Sequence, residues 1–165
     1  MKVPATNGVT LRPIRPEDGG FLYRVYASTR REELAQVGWG EAQKAAFLRM
    51  QFDAQSSYFR ENYEGAEFSV ILEDGRPVGR LYVARWPEEI RIVDIALLPE
   101  HRNAGVGSML LGGLISESEE SGKPVSIHVE RFNPALRLYE RLGFREVEDK
   151  GVYLLMERSP GAATH

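Results

Sequence analysis

Two short runs in this chain combine residue types whose spacing can do chemistry. The first is Leu97-Leu98-Pro99-Glu100-His101-Arg102-Asn103-Ala104-Gly105-Val106-Gly107-Ser108. A nearly continuous apolar stretch from Ile90 to Leu98 enters it and an amphipathic stretch leaves it, so it reads as strand, tight loop and helix start. Gly105 and Gly107 allow positive φ and close approach of a ligand. The first turn of a helix has N–H groups without intrahelical acceptors, and with the positive end of the helix dipole they suit a phosphate. Arg102 adds a full charge with fork geometry. The inferred ligand carries a pyrophosphate. No Lys follows Gly107, so the spacing is not that of a P-loop, and it does not match the dinucleotide fingerprint G-x-G-x-x-G. The alternative is a plain strand-to-helix turn whose glycines only shape the backbone.

The second run is Asn133-Pro134-Ala135-Leu136-Arg137-Leu138-Tyr139-Glu140-Arg141-Leu142-Gly143-Phe144. Asn133 can cap a short helix opened by Pro134, and a cap beside a cofactor can also bond to it. Tyr139 shares a stripe with Ala135, Leu138 and Leu142, which suits a core tyrosine. Its hydroxyl can equally serve as a general acid, because a phenol titrates near 10 and a departing thiolate takes its proton near 8.5.

The elements that must position these runs follow from periodicity. Val9 to Ile14 reads as a first strand, Pro16 to about Thr29 as a helix, and Glu41 to Tyr58 as a second helix with Ala46, Met50, Ala54 and Tyr58 on its apolar stripe. Phe68, Val70 and Leu72 alternate into Asp74-Gly75, a hairpin signal, and Pro77 to Trp86 returns. Ile90 to Leu98 is the central strand and Val106 opens a helix ending at Gly122. Val125 to Val129, Phe144 to Val147 and Val152 to Met156 are the remaining strands. The order β-α-α-β-β-β-α-β-α-β-β is an α+β (α/β) pattern with helices on a central sheet.

The 165 residues read as one domain, 1–165, with loose ends at 1–8 and 159–165. A chain of this length buries roughly 68–70% of its unfolded surface, so it needs no staple. The net charge of -3 argues against sequence-independent binding to nucleic acid. Without cysteine there is no disulfide, thiolate metal site or Cys nucleophile. No apolar run is long enough to span a bilayer and Met1 to Thr10 lacks a signal-peptide core, so the expected location is the cytoplasm, with no membrane partner.

Together the two runs resemble the GNAT family, the Gcn5-related N-acetyltransferases. Arg102-Asn103-Ala104-Gly105-Val106-Gly107 matches the family signature [R/Q]-x-x-G-x-[G/A], and Asn133 with Leu138 to Phe144 resembles its second cofactor segment. The resemblance is specific between about Ile90 and Met156. It implies a single domain with a mixed, mostly antiparallel sheet of six to seven strands flanked by helices on both faces. It implies acetyl-CoA as co-substrate, with no metal, and a small-molecule or peptide amine as acceptor, attacked directly in a ternary complex. Residues Arg102, Asn103, Ala104, Gly105, Val106, Gly107 and Ser108 would wrap the pyrophosphate. Ile95, Ala96 and Leu97 would pair with the pantetheine arm, and Asn133 would reach the cofactor. A backbone N–H near Ala96 or Leu97 would face the thioester carbonyl. Tyr139 would be the general acid. A homodimer is common among such relatives. The alternative function is a non-catalytic acyl-CoA-binding sensor or partner module on the same fold.

An amine must be neutral to attack a thioester, so a base is expected. His128, on the fifth strand, suits the task by its ordinary pKa, and is otherwise a sheet histidine. Asp94 stands among Ile92, Val93 and Ile95, and is a base, an amine-binding anion or a paired structural residue. Glu130 and Glu41 are weaker candidates. Trp39, Phe47, Tyr58, Tyr63, Tyr82 and Trp86 are core aromatics or lining of an acceptor pocket. Glu117-Ser118-Glu119-Glu120 reads as a solvated helix face.

Overall fold

Burial divides the two faces of one seven-stranded sheet unequally, and that difference locates the chemistry. The computed structural model describes residues 8–164. Its strands are β1 (Val9–Pro13), β2 (Glu67–Glu73), β3 (Arg76–Arg85), β4 (Ile90–Leu97), β5 (Val125–Glu130), β6 (Arg145–Asp149) and β7 (Tyr153–Arg158). Its helices are α1 (Gly19–Ala35), α2 (Glu41–Asn62), α3 (Val106–Ser121) and α4 (Leu136–Arg141). The sheet order is β1-β2-β3-β4-β5-β7-β6. Every neighbouring pair is antiparallel except β4 and β5. This is the single α+β domain expected from the order of periods. No helix among the described residues is long and apolar enough to cross a membrane.

Local chemistry explains most boundaries. Asp74 and Gly75 both take positive φ, +51° and +81°, as the two-residue turn between β2 and β3 requires. The paired glycines Gly19 and Gly20 do not prevent α1, because Asp18 fixes its entry. Arg12 Nη1 and Nη2 donate to the two carboxylate oxygens of Asp18 at 2.8 Å, and the Arg15 N–H donates to Oδ2 at 2.7 Å. The helix then runs past Thr29 to Ala35. Pro134 does not open α4 directly; Pro134 and Ala135 form a turn and the helix begins at Leu136.

The expected stripe on α2 is wrong. Met50 and Tyr58 are 58% and 54% exposed, and Ala46 and Ala54 also face solvent. Phe52 is the buried residue, packing with Leu48 on Leu22 and Tyr26 of α1. Its ring meets Tyr23 edge-on at 5.6 Å and Tyr26 at 5.9 Å. Aromatic area decides which face turns inward, and the two alanines bring too little of it.

The larger core lies on the other side of the sheet. There Val106, Leu110, Leu111 and Leu114 of α3 pack on Leu81, Val83, Ile90, Ile92, Val125, Ile127 and Val129. The face under α1 and α2 buries polar groups instead: Arg80, Arg91 and Ser126. The acidic run on α3 is not simply solvated. Glu117 binds Arg85, Ser118 is fully buried, and Glu119 binds Arg158.

Of the ends, 1–7 and 165 lie outside the described residues. In the C-terminal stretch, Arg158 Nη2 donates to Ala162 O at 2.7 Å, and the Gly161 N–H donates to the Glu119 carboxylate at 2.9 Å.

Candidate active site

The central parallel pair is short. β4 and β5 pair only at Ile90–Val125, Arg91–Ser126 and Ile92–Ile127. Beyond that, Asp94, Ile95, Ala96 and Leu97 pair with β3 alone, while His128, Val129 and Glu130 pair with β7 alone. The strands therefore part into a notch whose β4 edge keeps unpaired backbone donors and acceptors. Such an edge can pair with an extended, amide-bearing ligand.

A bulge sets the edge's orientation. Tyr82 opposes Asp94 and its neighbour Val83 opposes Ile92, so Val93 is the extra residue. Core packing records the slip: Ile90 and Ile92 face the α3 side, and after the bulge Ile95 and Leu97 do. Asp94 is thereby turned to the α1–α2 side.

At the wide end of the notch stands the glycine loop. Gly105 has φ +88° and ends the loop as the residue before α3, with no side chain capping the helix. Its missing Cβ would meet nothing within 4 Å, so glycine is required there by the backbone angle rather than by crowding. The Met109 N–H bonds to Gly105 O at 3.0 Å, which leaves the amides of Val106, Gly107 and Ser108 ahead of the helical ladder. Arg102, Asn103, Ala104, Gly105 and Ser108 are exposed, Gly107 is half-buried, and only Val106 enters the core. Asn103 also has positive φ, +61°. The loop is thus open and lined by amides, the donor set that a diphosphate needs. Arg102 reaches back from it: Nε donates to Leu97 O at 3.0 Å and Nη2 to Ser28 Oγ at 3.2 Å.

Asn133 does not cap α4, whose N-cap is Ala135 with no side-chain bond; its Oδ1 accepts from the Ala135 N–H at 2.8 Å and closes an Asx turn ahead of the helix. Tyr139 is 5% exposed and meets Phe144 edge-on at 5.5 Å. Its carbonyl accepts the Phe144 N–H at 3.0 Å across the Gly143 turn. Gly143 has φ +98°, and a Cβ there would lie 2.6 Å from Ala163 O. Burial first, then the negative charge of Asp94, push the Tyr139 hydroxyl's pKa upward. The phenol therefore keeps its proton at neutral pH.

The candidate bases have partners. Asp94 Oδ2 accepts from Arg80 Nε at 2.6 Å, and Arg80 Nη2 donates to Gln55 Oε1 of α2 at 2.9 Å. Burial opposes the charge on Arg80, but the charges of Asp94 and Tyr82 hold its pKa above the ordinary value. His128 Nδ1 lies 3.4 Å from Arg91 Nη1, and Nε2 lies 3.2 Å from Lys150 Nζ. Burial, then the charges of Arg91 and Lys150, lower the His128 pKa from its usual 6.5. Glu130 is bound to Arg30 at 2.9 Å, and Glu41 stands exposed at the start of α2. Arg80, Arg91 and Lys150, which surround these candidate bases, carry no signal of that role in the sequence. The slip from Ile90/Ile92 to Ile95/Leu97 was a usable signal for the bulge.

The aromatics divide. Trp39 packs on Phe47, and Tyr58 is largely exposed. Tyr63 stacks on Trp86 at 6.0 Å, and Arg91 lies 5.0 Å over the Trp86 ring. Tyr82, which opposes Asp94, lines a cavity of about 330 Å³ with Phe52, Phe59 and Phe68. A second cavity of about 260 Å³ lies beside Arg102, between Arg24, Ser28 and Arg31 of α1 and the Leu98–Glu100 turn.

A seven-stranded α+β domain whose sheet parts at a central parallel pair, beside an amide-lined helix start, has the architecture of the N-acetyltransferases. The model of the acetyltransferase (GNAT) family matches residues 18–144, and this chain belongs to that family. It is 32% identical over 84 residues to the [ribosomal protein bS18]-alanine N-acetyltransferase of Haemophilus influenzae, a match spanning 50% of this chain and 58% of that protein. Its fold is similar to PaiA N-acetyltransferase from Thermoplasma acidophilum, solved in complex with coenzyme A (TM-score 0.69, 17% identity, 92% of this chain and 98% of that one). It is also similar to the ribosomal-protein-S18-alanine N-acetyltransferase of Escherichia coli (TM-score 0.62, 20% identity, 94% of this chain and 96% of that one).

Proposed function

We propose that this protein transfers the acetyl group of acetyl-CoA to an amine, by direct attack in a ternary complex. The observation that carries the reading is the notch between β4 and β5, open at its wide end onto the unpaired amides of Val106, Gly107 and Ser108. The loop Arg102–Ser108 would hold the diphosphate, with Arg102 bracing the loop against Leu97 and Ser28. The β4 edge at Ile95, Ala96 and Leu97, where Leu97 O is already taken by Arg102, would pair with the amide-bearing arm of the cofactor. Asn133 would hold the entry of α4 beside it. Tyr139 would give its proton to the departing sulfur.

His128 or Asp94, both on the α1–α2 side, would receive the proton of the attacking amine. His128 suits this better, because Asp94 is engaged by Arg80. The acceptor would approach from that side, where Tyr82 and its neighbours leave room. A peptide amine is the acceptor class favoured by the likeness to an enzyme that acetylates a ribosomal protein. Small-molecule amines remain in the test set. The protein is expected in the cytoplasm, as a monomer or homodimer.

One observation favours a second reading, an acyl-CoA-binding module without turnover: both candidate bases already have cationic partners. Calorimetry with acetyl-CoA, followed by thiol release with a panel of peptide and small-molecule amines, separates the two. Binding with turnover supports the enzyme, and binding without turnover supports the module. Absence of binding removes both.

A further inference from the structure

Lys150 occupies the turn between β6 and β7, and its position there is fixed by hydrogen bonds. Its N–H donates to Tyr153 O at 2.9 Å. The Gly151 N–H donates to Asp149 Oδ1 at 2.9 Å, and Arg131 donates to both Asp149 and Gly151 O. From this turn the Lys150 side chain extends to His128, placing Nζ 3.2 Å from Nε2. Among the described residues Lys150 forms no ion pair with a carboxylate. His128 is the first residue of β5 past the last pair with β4, so it borders the notch. A primary amine in contact with a base, at the rim of an acyl-donor site, is the arrangement of an activated nucleophile.

We infer that Lys150 is an internal acceptor: the protein acetylates its own Lys150 Nζ. The inference rests on the acyl-CoA reading of the notch. A neutral imidazole has one lone pair and here faces two donors, Arg91 at 3.4 Å from Nδ1 and Lys150 at 3.2 Å from Nε2, and the step uses the tautomer whose lone pair is on Nε2. A proton passes from Lys150 Nζ to His128 Nε2. The freed lone pair attacks the thioester carbonyl carbon, a C–N bond forms and the C–S bond breaks. The sulfur leaves with the Tyr139 hydroxyl proton, the new amide nitrogen gives up its second proton to solvent, and His128 and Tyr139 then return to their starting states by proton exchange with solvent. Acetyl-CoA is the only co-reactant. The flexible four-carbon stem of lysine lets the amine swing from His128 into the notch without moving the turn.

The test is to incubate the full chain with acetyl-CoA and no added amine, then map acetylated peptides by mass spectrometry. One acetyl group on Lys150 is expected, with a first-order rate constant independent of protein concentration. Lys150→Arg should abolish this label while thiol release to an external amine continues. His128→Gln should slow it by about 10²-fold, the span of a lost general base. If that variant does not fold, the Lys150→Arg comparison decides alone. Label spread equally over Lys44 and Lys123, or a rate rising with protein concentration, overturns the inference. Calorimetric binding of acetyl-CoA, run in parallel, separates the failures. Binding and turnover without labelled Lys150 overturn the internal acceptor and leave the proposed function standing; no binding overturns both.

Discussion

Arg80 and Asp94 form a charge pair that joins β3 to β4 at the mouth of the notch, with Nε 2.6 Å from Oδ2. The guanidinium side chain is 3% exposed and the carboxylate 23%. Gln55 of α2 takes a second hydrogen bond from Arg80, so a helix, two strands and the bulge at Val93 share one buried cation. This asymmetry gives the first expectation. Asp94→Asn strands a buried charge and should cost about 3 kcal/mol, as removing one partner of a buried pair does. Arg80→Met should cost less, because Asp94 can reach water. Urea unfolding of both variants measures the difference, and equal midpoints would show that the pair carries no such strain.

His128 sets a pH expectation. Its folded pKa is below its unfolded one, because burial and the nearby cations of Arg91 and Lys150 disfavour the imidazolium. Its contribution to stability is therefore complete above pH 6.5 and is lost as pH falls through the lower folded value. If His128 is the base, the acidic limb of the kcat/KM profile lies below pH 6.5. Arg91→Gln should move that limb upward by removing a cation. A limb unmoved in Arg91→Gln and still present in His128→Gln assigns the base elsewhere.

Tyr139→Phe separates chemistry from packing. The ring and its contact with Phe144 remain, so the melting temperature should hardly move. Turnover should fall by about 10²-fold or more if the hydroxyl protonates the sulfur. Because its pKa is raised, no loss of activity from Tyr139 ionisation should appear up to pH 10. Normal turnover in the phenylalanine variant would make Tyr139 a core residue only.

Gly105→Val tests the cradle. At φ +88° a branched side chain is strained, and relief of that strain must move the amides that follow. Acetyl-CoA affinity should drop on the order of tenfold, matching 1–3 kcal/mol of backbone strain. Arg102→Ala should weaken binding too, through lost bracing at Leu97 and Ser28. Calorimetric titration reads both, and wild-type affinity in Gly105→Val would remove the loop from the site.

A core substitution calibrates these effects. Leu110 is fully buried under the sheet, and Leu110→Ala should lower stability by about 2–5 kcal/mol while leaving the notch residues in place. Thermal unfolding measures it. A negligible change would mean that α3 tolerates a cavity against the strands.

The order of elements was readable because it depends on local periods and turn chemistry. Asp74-Gly75 marks its turn, Gly122 ends α3 with φ +73°, and the apolar run from Ile90 marks the central strand. The α2 stripe was misread because its spacing alone does not say which residues bring enough area to meet α1. Phe52 packs on Leu22 and Tyr26 of α1, and Met50 and Tyr58 face solvent. The sheet's polar face was equally hidden, since Arg80 and Arg91 look like ordinary charged residues along the chain.

The order of residues alone is enough for the open glycine loop, the strand that enters it and the helix that leaves it, because glycine conformation and helix-end amides are properties of adjacent residues. It also determined that Tyr139 would be anchored at the Leu142-Gly143-Phe144 turn. What stands around the notch is set by folding. Asp94 belongs to Arg80, His128 lies between Arg91 and Lys150, and β4 leaves β5 after Ile92. These relations join residues far apart in the chain, and the one-residue bulge at Val93 decides that Asp94 faces Arg80 and not the α3 side.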